Sequence, residues 1–313
     1  MQGLELAERY YEQYGAPMLH AQFEAFEAVI AVGLCGSGSE CFGFDDAVSA
    51  DHDFEPGFCL FLPGEDVIDR RTAFLLERAY AKLPKEFEGY KRSLMSPVGG
   101  SRHGVLRMDE FFLAKVGSPD GRLTAEQWLT IPEFYLAEAT NGKVFRDDCG
   151  AFTAIRERLS ALPEDIRRKK LAGELLTMAQ SGQYNYNRCL RHGETGAAQL
   201  AAFEFVRAAL HTVFLLNKAY LPYYKWQFRA LRALPLLSDV ADPLEFLLTT
   251  ENTGDLAETK YLIMEDVAGM VIEALQAQDL TKAACGDLEK HAYSVNDAVA
   301  DASLRNMHIL AGV

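Results

Sequence analysis

The stretch that most limits what this chain can fold into runs from Gly33 to Phe54, GLCGSGSECFGFDDAVSADHDF. It grows out of an apolar run, Ala28 to Leu34, long enough for one buried strand. The chain then turns through Gly36-Ser37-Gly38-Ser39 and, with eleven residues between, reaches the alternating triplet Asp51-His52-Asp53. A second apolar run, Phe58-Cys59-Leu60-Phe61-Leu62, reads as the next strand. Side chains at i and i+2 of a strand point the same way, so Asp51 and Asp53 are expected to face one spot. Two carboxylates that close repel unless a cation sits between them. Magnesium fits, with manganese as a substitute, because it takes one or two carboxylates and leaves its other positions to water and phosphate oxygens. The backbone N–H groups and hydroxyls of the Gly36–Ser39 turn suit a phosphate tail. The plainer alternative is a pair of surface acids flanking a turn, with Asp45 and Asp46 doing the same. His52 is expected to point away from the carboxylates.

Other chemistries lack their residues. No serine has the flanking glycines of a nucleophile elbow. The chain contains no Gly-x-x-x-x-Gly-Lys-Ser/Thr loop and no His-Glu-x-x-His. A His52-Asp53 phosphohydrolase pair would need helical periodicity, whereas its flanks read as strand. The formal net charge of -14 argues against a nucleic-acid binder. No apolar run approaches the roughly 18 residues of a membrane span. The six cysteines are scattered without a Cys-x-x-Cys pair, which reads as reduced core thiols of a cytoplasmic protein.

Along the chain, residues 3 to 31 read as two helices broken near Gly15-Ala16-Pro17. A helix over 64 to 83 follows the second strand, then a long surface loop over 84 to 103. Gly104 to Met108 reads as a third strand, and Asp109 to Val116 as a helix with Asp109 near its N-cap. Short helices are expected over 125–129 and 132–140. Asn141-Gly142 turns the chain into a small edge strand over 143–145. From Ala151 onward the spacing is helical. The fold class expected is α+β: a mixed-sheet domain over 1–150, then a helical bundle over 151–313. Within the bundle, Gln180 to Arg188 is unusually polar and aromatic. Lys218, Lys225, Arg229 and Arg232 follow helical spacing, although Pro222 interrupts it.

The order Gly-Ser, a gap of about a dozen residues, then Asp-x-Asp resembles the signature of the DNA polymerase β-like nucleotidyltransferase superfamily. The longer string GSGSECFGFDD…DHDF…PGFC, with NGKVF, SGQYNYNRC and LNKAYLPYYKW, is similar to its branch catalogued as domain of unknown function 4037. That resemblance implies a nucleotidyltransferase head moving a nucleoside monophosphate, AMP by default, from ATP or another nucleoside triphosphate to an unidentified small-molecule acceptor. It implies that Gly36, Ser37, Gly38 and Ser39 hold phosphates, with Ser39 at the superfamily position, and that Asp51 and Asp53 carry magnesium. A lysine of the helical domain commonly reaches the triphosphate in such enzymes, and Lys225, beside Trp226, resembles it; the nucleotide is expected between head and bundle. A third acid often stands on a later strand, but here Val105 to Met108 offers Arg107 and no acid. Asp109 and Glu110 lie just beyond, and Asp109 as a helix cap is the favoured reading of the two. Two alternatives are a catalytically silent nucleotide sensor and an enzyme that nucleotidylates protein or RNA.

Overall fold

The computed structural model describes residues 1–46, 55–92 and 102–313, so Asp51, His52 and Asp53 lie outside the described residues. The chain is an α+β protein of two compact units: residues 1–123 with 131–161, and residues 124–130 with 162–313.

The first unit is built on a four-stranded mixed sheet. Strand β1 (Ala31–Leu34) pairs antiparallel with β2 (Cys59–Leu62), matching Val32 to Leu60. Two further strands, β3 (Glu86–Phe87) and β4 (Tyr90–Lys91), form a separate ribbon. Strand β5 (Gly104–Arg107) lies parallel to β2 on the outer side, and β6 (Lys143–Arg146) antiparallel to β1 on the other edge. The sheet order is therefore β5–β2–β1–β6.

Period-two alternation divides the sheet residues between two faces. Phe58, Leu60 and Leu62 join Val32 in a core with Leu6, Tyr10, Leu19 and Leu76. These come from α1 (Gly3–Tyr10), α2 (Ala16–Glu27) and α3 (Arg70–Ala81). On the opposite face Phe61 stacks on Phe152 with ring centroids 4.1 Å apart and meets Phe111 edge-on at 5.2 Å. Those partners sit on α4 (Met108–Val116) and α7 (Ala151–Ser160). Helix α7 thus belongs to the first unit because Phe152 completes its aromatic core, and the units divide after Ala161, not at 150.

Two local departures from the sequence reading have physical causes. No break occurs at Gly15-Ala16-Pro17; the chain stays helical through a π-helical turn, Tyr11–Gly15, and that local widening just before Pro17 accommodates the N–H it lacks. Gly15 lets that turn approach the sheet, since a Cβ there would strike the Phe58 ring. The kink comes later, at Phe23, whose backbone is non-helical. The start of the expected 84–103 loop folds as the β3–β4 ribbon, turning through Glu88 and Gly89, both with positive φ. Arg92 just beyond lies over the Tyr80 ring at 4.8 Å and donates to Tyr10 Oη at 2.8 Å.

The second unit is helical throughout. Its centre is α8 (Glu164–Met178) against α10 (Thr195–Leu216), flanked by α12 (Ala241–Thr249), α13 (Gly254–Ala277) and α14 (Leu288–Asp297). Helix α10 is long and apolar enough to cross a membrane by length and composition. In the fold it is a core helix, with Phe205, Ala209, Val213 and Leu215 fully enclosed. Between α8 and α10 come a π-helical segment, Ala179–Tyr186, and α9 (Asn187–Arg191). The lysine and arginine series does not form one face. Helix α10 ends at Leu216, Lys218 takes φ +55°, and residues 219–223 are not helical.

Candidate functional site

The Gly36–Ser39 turn leaves the end of β1, the strand second from the edge and paired on both sides. Gly36 takes φ +132°, a backbone that side chains rarely adopt, so glycine is required there by conformation, not by crowding. The turn is held from the side by Asn141. Its Oδ1 accepts from Gly36 N–H at 2.9 Å and its Nδ2 donates to Gly36 O at 2.8 Å, mimicking one more strand pairing. Asn141 is itself placed by Gly142, at φ +68°, whose N–H donates to Cys41 O at 2.8 Å. A Cβ on Gly142 would overlap Leu34 O, so this contact admits only glycine. Arg156 closes the far side, donating to Thr140 O at 2.8 Å and Asn141 O at 2.7 Å.

Beyond the turn opens a cavity of about 360 Å³ within the first unit. Gly36, Ser37 and Gly38 line it, with Glu40, Arg102, Arg107, Glu110 and Lys115. Among the described residues, the N–H groups of Ser37 and Ser39 donate to no protein acceptor, while that of Gly38 is directed at the Cys41 sulfur; free N–H groups in a turn suit an anion. Lys115 pairs with Glu138, and Arg107 donates to Pro63 O at 2.7 Å. Cys35, Cys41 and Cys59 also border the cavity. Burial pushes the Cys35 thiol up to about 11, against the pull of Arg156 and Lys115, and raises Cys41 and Cys59 well above the usual range. These thiols stay neutral and are poor nucleophiles or metal ligands.

Glu40 is the unusual member. It is 7% exposed, yet among the described residues its carboxylate forms no hydrogen bond or ion pair. It lies against Gly38, where any Cβ would strike it. A hard divalent ion takes such oxygen donors readily, so the donor set present fits magnesium better than a soft metal. Among the described residues, no three His, Cys, Asp or Glu side chains are grouped to hold a metal ion.

The expected site residues separate as follows. Gly36, Ser37 and Gly38 come together at the cavity, and Ser37 is exposed to it. Ser39 does not line it; its carbonyl accepts from Phe42 and Phe44 N–H, which turns the residue inward. Asp109 is exposed and accepts from the N–H of Glu110 at 2.9 Å in the first turn of α4, while Glu110 and not Asp109 borders the cavity. Lys225 belongs to the second unit, exposed on the short turn Tyr224–Trp226, its Nζ 4.9 Å from the Trp226 ring. Gln180, Gln183 and Tyr184 border an open depression of about 500 Å³ in that unit, with Asp287 and Glu289. Sequence reasoning missed Asn141, Glu40 and Lys115 as parts of the site. Asn141 was legible as a turn only, and Glu40 as the single charge in an otherwise glycine, serine and apolar tract.

A family model described as "Domain of unknown function (DUF4037)" matches residues 128–227. No curated protein matches the chain, and no solved structure does. The matched segment contains Asn141, Gly142 and Arg156, along with Gln180 to Arg188 and Lys225. It covers the buttress of the glycine turn and not the turn itself.

Proposed function

We propose that this protein is a magnesium-dependent nucleotidyltransferase, moving AMP or another nucleoside monophosphate from its triphosphate to a hydroxyl or amine of a small acceptor. In that reaction the acceptor atom attacks the α-phosphorus, the bond to the β-phosphate oxygen breaks, and pyrophosphate leaves. The observation that carries the reading is the Gly36–Gly38 turn, pinned by Asn141 and opening onto a cavity with Arg102, Arg107 and Lys115 at its walls. Unengaged backbone N–H groups and three cations in one enclosed place favour a polyphosphate over a neutral ligand. Ser37 supplies a hydroxyl on the cavity side. Asp51 and Asp53 take the metal-carrying role that the resemblance implies. Magnesium, when bound, would supply neutralisation of charge on the α-phosphate and the departing pyrophosphate. The remaining catalysis is positioning, which a fixed turn and fixed cations provide without reorganising.

A second reading, a nucleotide sensor without transfer, is favoured by one observation. The strand where the superfamily often places a third acid carries Arg107, tied to Pro63, and Asp109 is spent on its own helix. Calorimetry with ATP, GTP, CTP and UTP, with and without magnesium, tests the shared part. Tight magnesium-dependent binding of one nucleotide, lost in Asp51→Asn/Asp53→Asn, is the expected result; no binding of any nucleotide defeats both readings. Pyrophosphate release in the presence of a cell metabolite fraction then separates the enzyme from the sensor.

A further inference from the structure

The cavity beside the glycine turn has a charge imbalance that its own residues do not resolve. A nucleoside triphosphate brings about four negative charges, and Glu40 and Glu110 add two carboxylates to the same walls. Of the three cations, Lys115 is already neutralised by Glu138. Glu40 is the sharpest part of the problem. Its side chain is more than nine-tenths buried, packed on Gly38, and without a hydrogen-bonding or ionic partner among the described residues. Its carboxylate oxygens reach the cavity, and a carboxylate placed against an anion cradle works against the cradle's ligand. That repulsion is relieved if the ligand arrives with a divalent cation, because an oxygen-loving ion binds one carboxylate and the phosphate oxygens at once.

We propose that Glu40 is a divalent-cation ligand, binding the ion that accompanies a polyphosphate on the Gly36–Gly38 turn and standing in for the acid absent from β5. The inference rests on the nucleotide reading above and adds to it a named residue and an order of events. The ion and the polyphosphate bind as one unit, since neither has a complete set of partners without the other. Glu40 is also distinct from Glu110, which lines the same cavity but is exposed at the start of α4. The geometry that selects Glu40 is local: Gly38 has no side chain, so the carboxylate can lie directly against the turn that lines the cavity.

The test is binding, not turnover. The full chain is titrated with a non-hydrolysable α,β-methylene ATP analogue in EDTA and again in magnesium, for wild type, Glu40→Gln and Glu110→Gln. Wild type should bind at least ten-fold tighter in magnesium. Glu40→Gln should lose most of that gain while binding the metal-free analogue as well as wild type or better, because the repulsion is gone. Glu110→Gln should keep the gain. A full magnesium gain in Glu40→Gln overturns the inference and leaves the nucleotide reading standing; absence of analogue binding by wild type overturns both. Should Glu40→Gln fail to fold, the wild-type chain decides. Iron(II) substituted for magnesium, with ascorbate and peroxide, should cut the backbone near Gly38–Cys41 only when the analogue is present. Cuts that spare Gly38–Cys41 while appearing near Asp51 and Asp53 would overturn the inference and leave the nucleotide reading standing; cuts independent of the analogue would overturn it as well.

Discussion

Two buried lysines of the helical unit and one buried carboxylate of the sheet unit sit under opposite terms. In the helical unit, Lys260 has no exposed surface, yet its ammonium is engaged: it donates to Gln199 Oε1 at 2.9 Å and to Thr250 O at 2.8 Å. Lys169 is equally enclosed and holds Asn296 Oδ1 at 2.9 Å and Met307 O at 2.8 Å. These charges face inward and tie helices and tail segments together with neutral acceptors. In the sheet unit, Glu40 is nearly as enclosed and is tied to nothing described, while the backbone around it is fixed by Asn141 and Gly142. The lesson is that burial alone does not mark a site. A buried charge with its partners in place is architecture; one whose neighbourhood is rigid and whose partners are missing points to something that binds.

The comparison breaks most easily at Gly142. Gly142→Ala places a methyl on Leu34 O at a left-handed backbone, so backbone must move, and a loss of at least about 3 kcal/mol in urea denaturation is expected. Gly193 in the helical unit has a similar φ, +74°, but open space around it. There the same substitution meets only conformational strain, about 1 kcal/mol. Equal losses at the two sites would show that the turn is not braced as described.

Lys260 sharpens the other side. Desolvation lowers its folded-state value from 10.5 to about 8. Below pH 8 both folded and unfolded chains carry the proton and the burial penalty is fully present. As pH rises from 8 toward 10.5 the folded chain releases the proton first, the unfolded chain holds more, and stability rises with pH. A gain of roughly 2 kcal/mol between about pH 8 and pH 10 is expected, absent in Lys260→Met. Tyr186 beside it is raised to about 12 by burial, so its opposing effect falls mainly above this window. A flat wild-type profile would mean the ammonium is better solvated than its enclosure implies.

Asn141 joins fold to site. Asn141→Ala removes the bonds to both Gly36 groups and leaves them facing the cavity edge, a cost of about 1–2 kcal/mol with a larger proportional loss of nucleotide affinity. Asn141→Asp keeps the acceptor for Gly36 N–H but sets a carboxylate against Gly36 O, so it should be the worse of the two for affinity. An Asn141→Ala protein that binds nucleotide normally would uncouple the turn from its buttress.

How much of this was readable from residues alone follows from range. Strands β1, β2 and β5 and helix α4 were visible because apolar runs and helical spacing are local, although the expected Asp109 cap is not one: the N-cap is Arg107, without a side-chain bond, and Asp109 lies in the first turn. The ribbon over 86–91 was not, because its pairing is fixed by two positive-φ residues and by Arg92 packing on Tyr10 and Tyr80. The glycine-serine segment was legible as a turn, but its clamp is 105 residues away in sequence. No local pattern announces that Asn141 pairs with Gly36. Likewise, Phe152 belongs to the sheet unit because of the aromatic rings it meets, a fact that helical spacing after Ala151 cannot encode.

The finest division lies within the turn itself and is tested by its two serines. Ser37 is exposed and borders the cavity, whereas Ser39 is half-buried and its carbonyl anchors the turn that follows through Phe42 and Phe44. Neither hydroxyl supports the fold, so Ser37→Ala and Ser39→Ala should each change stability by no more than about 0.5 kcal/mol. Their effects on nucleotide binding should differ. Ser37→Ala loses a hydroxyl donor facing the ligand and should weaken binding several-fold, while Ser39→Ala should leave it near wild type. The reverse outcome would give Ser39 the phosphate contact implied by the superfamily resemblance. It would also mean that the turn rotates when ligand binds, since Ser39 in its present orientation faces away from the cavity that its neighbours line.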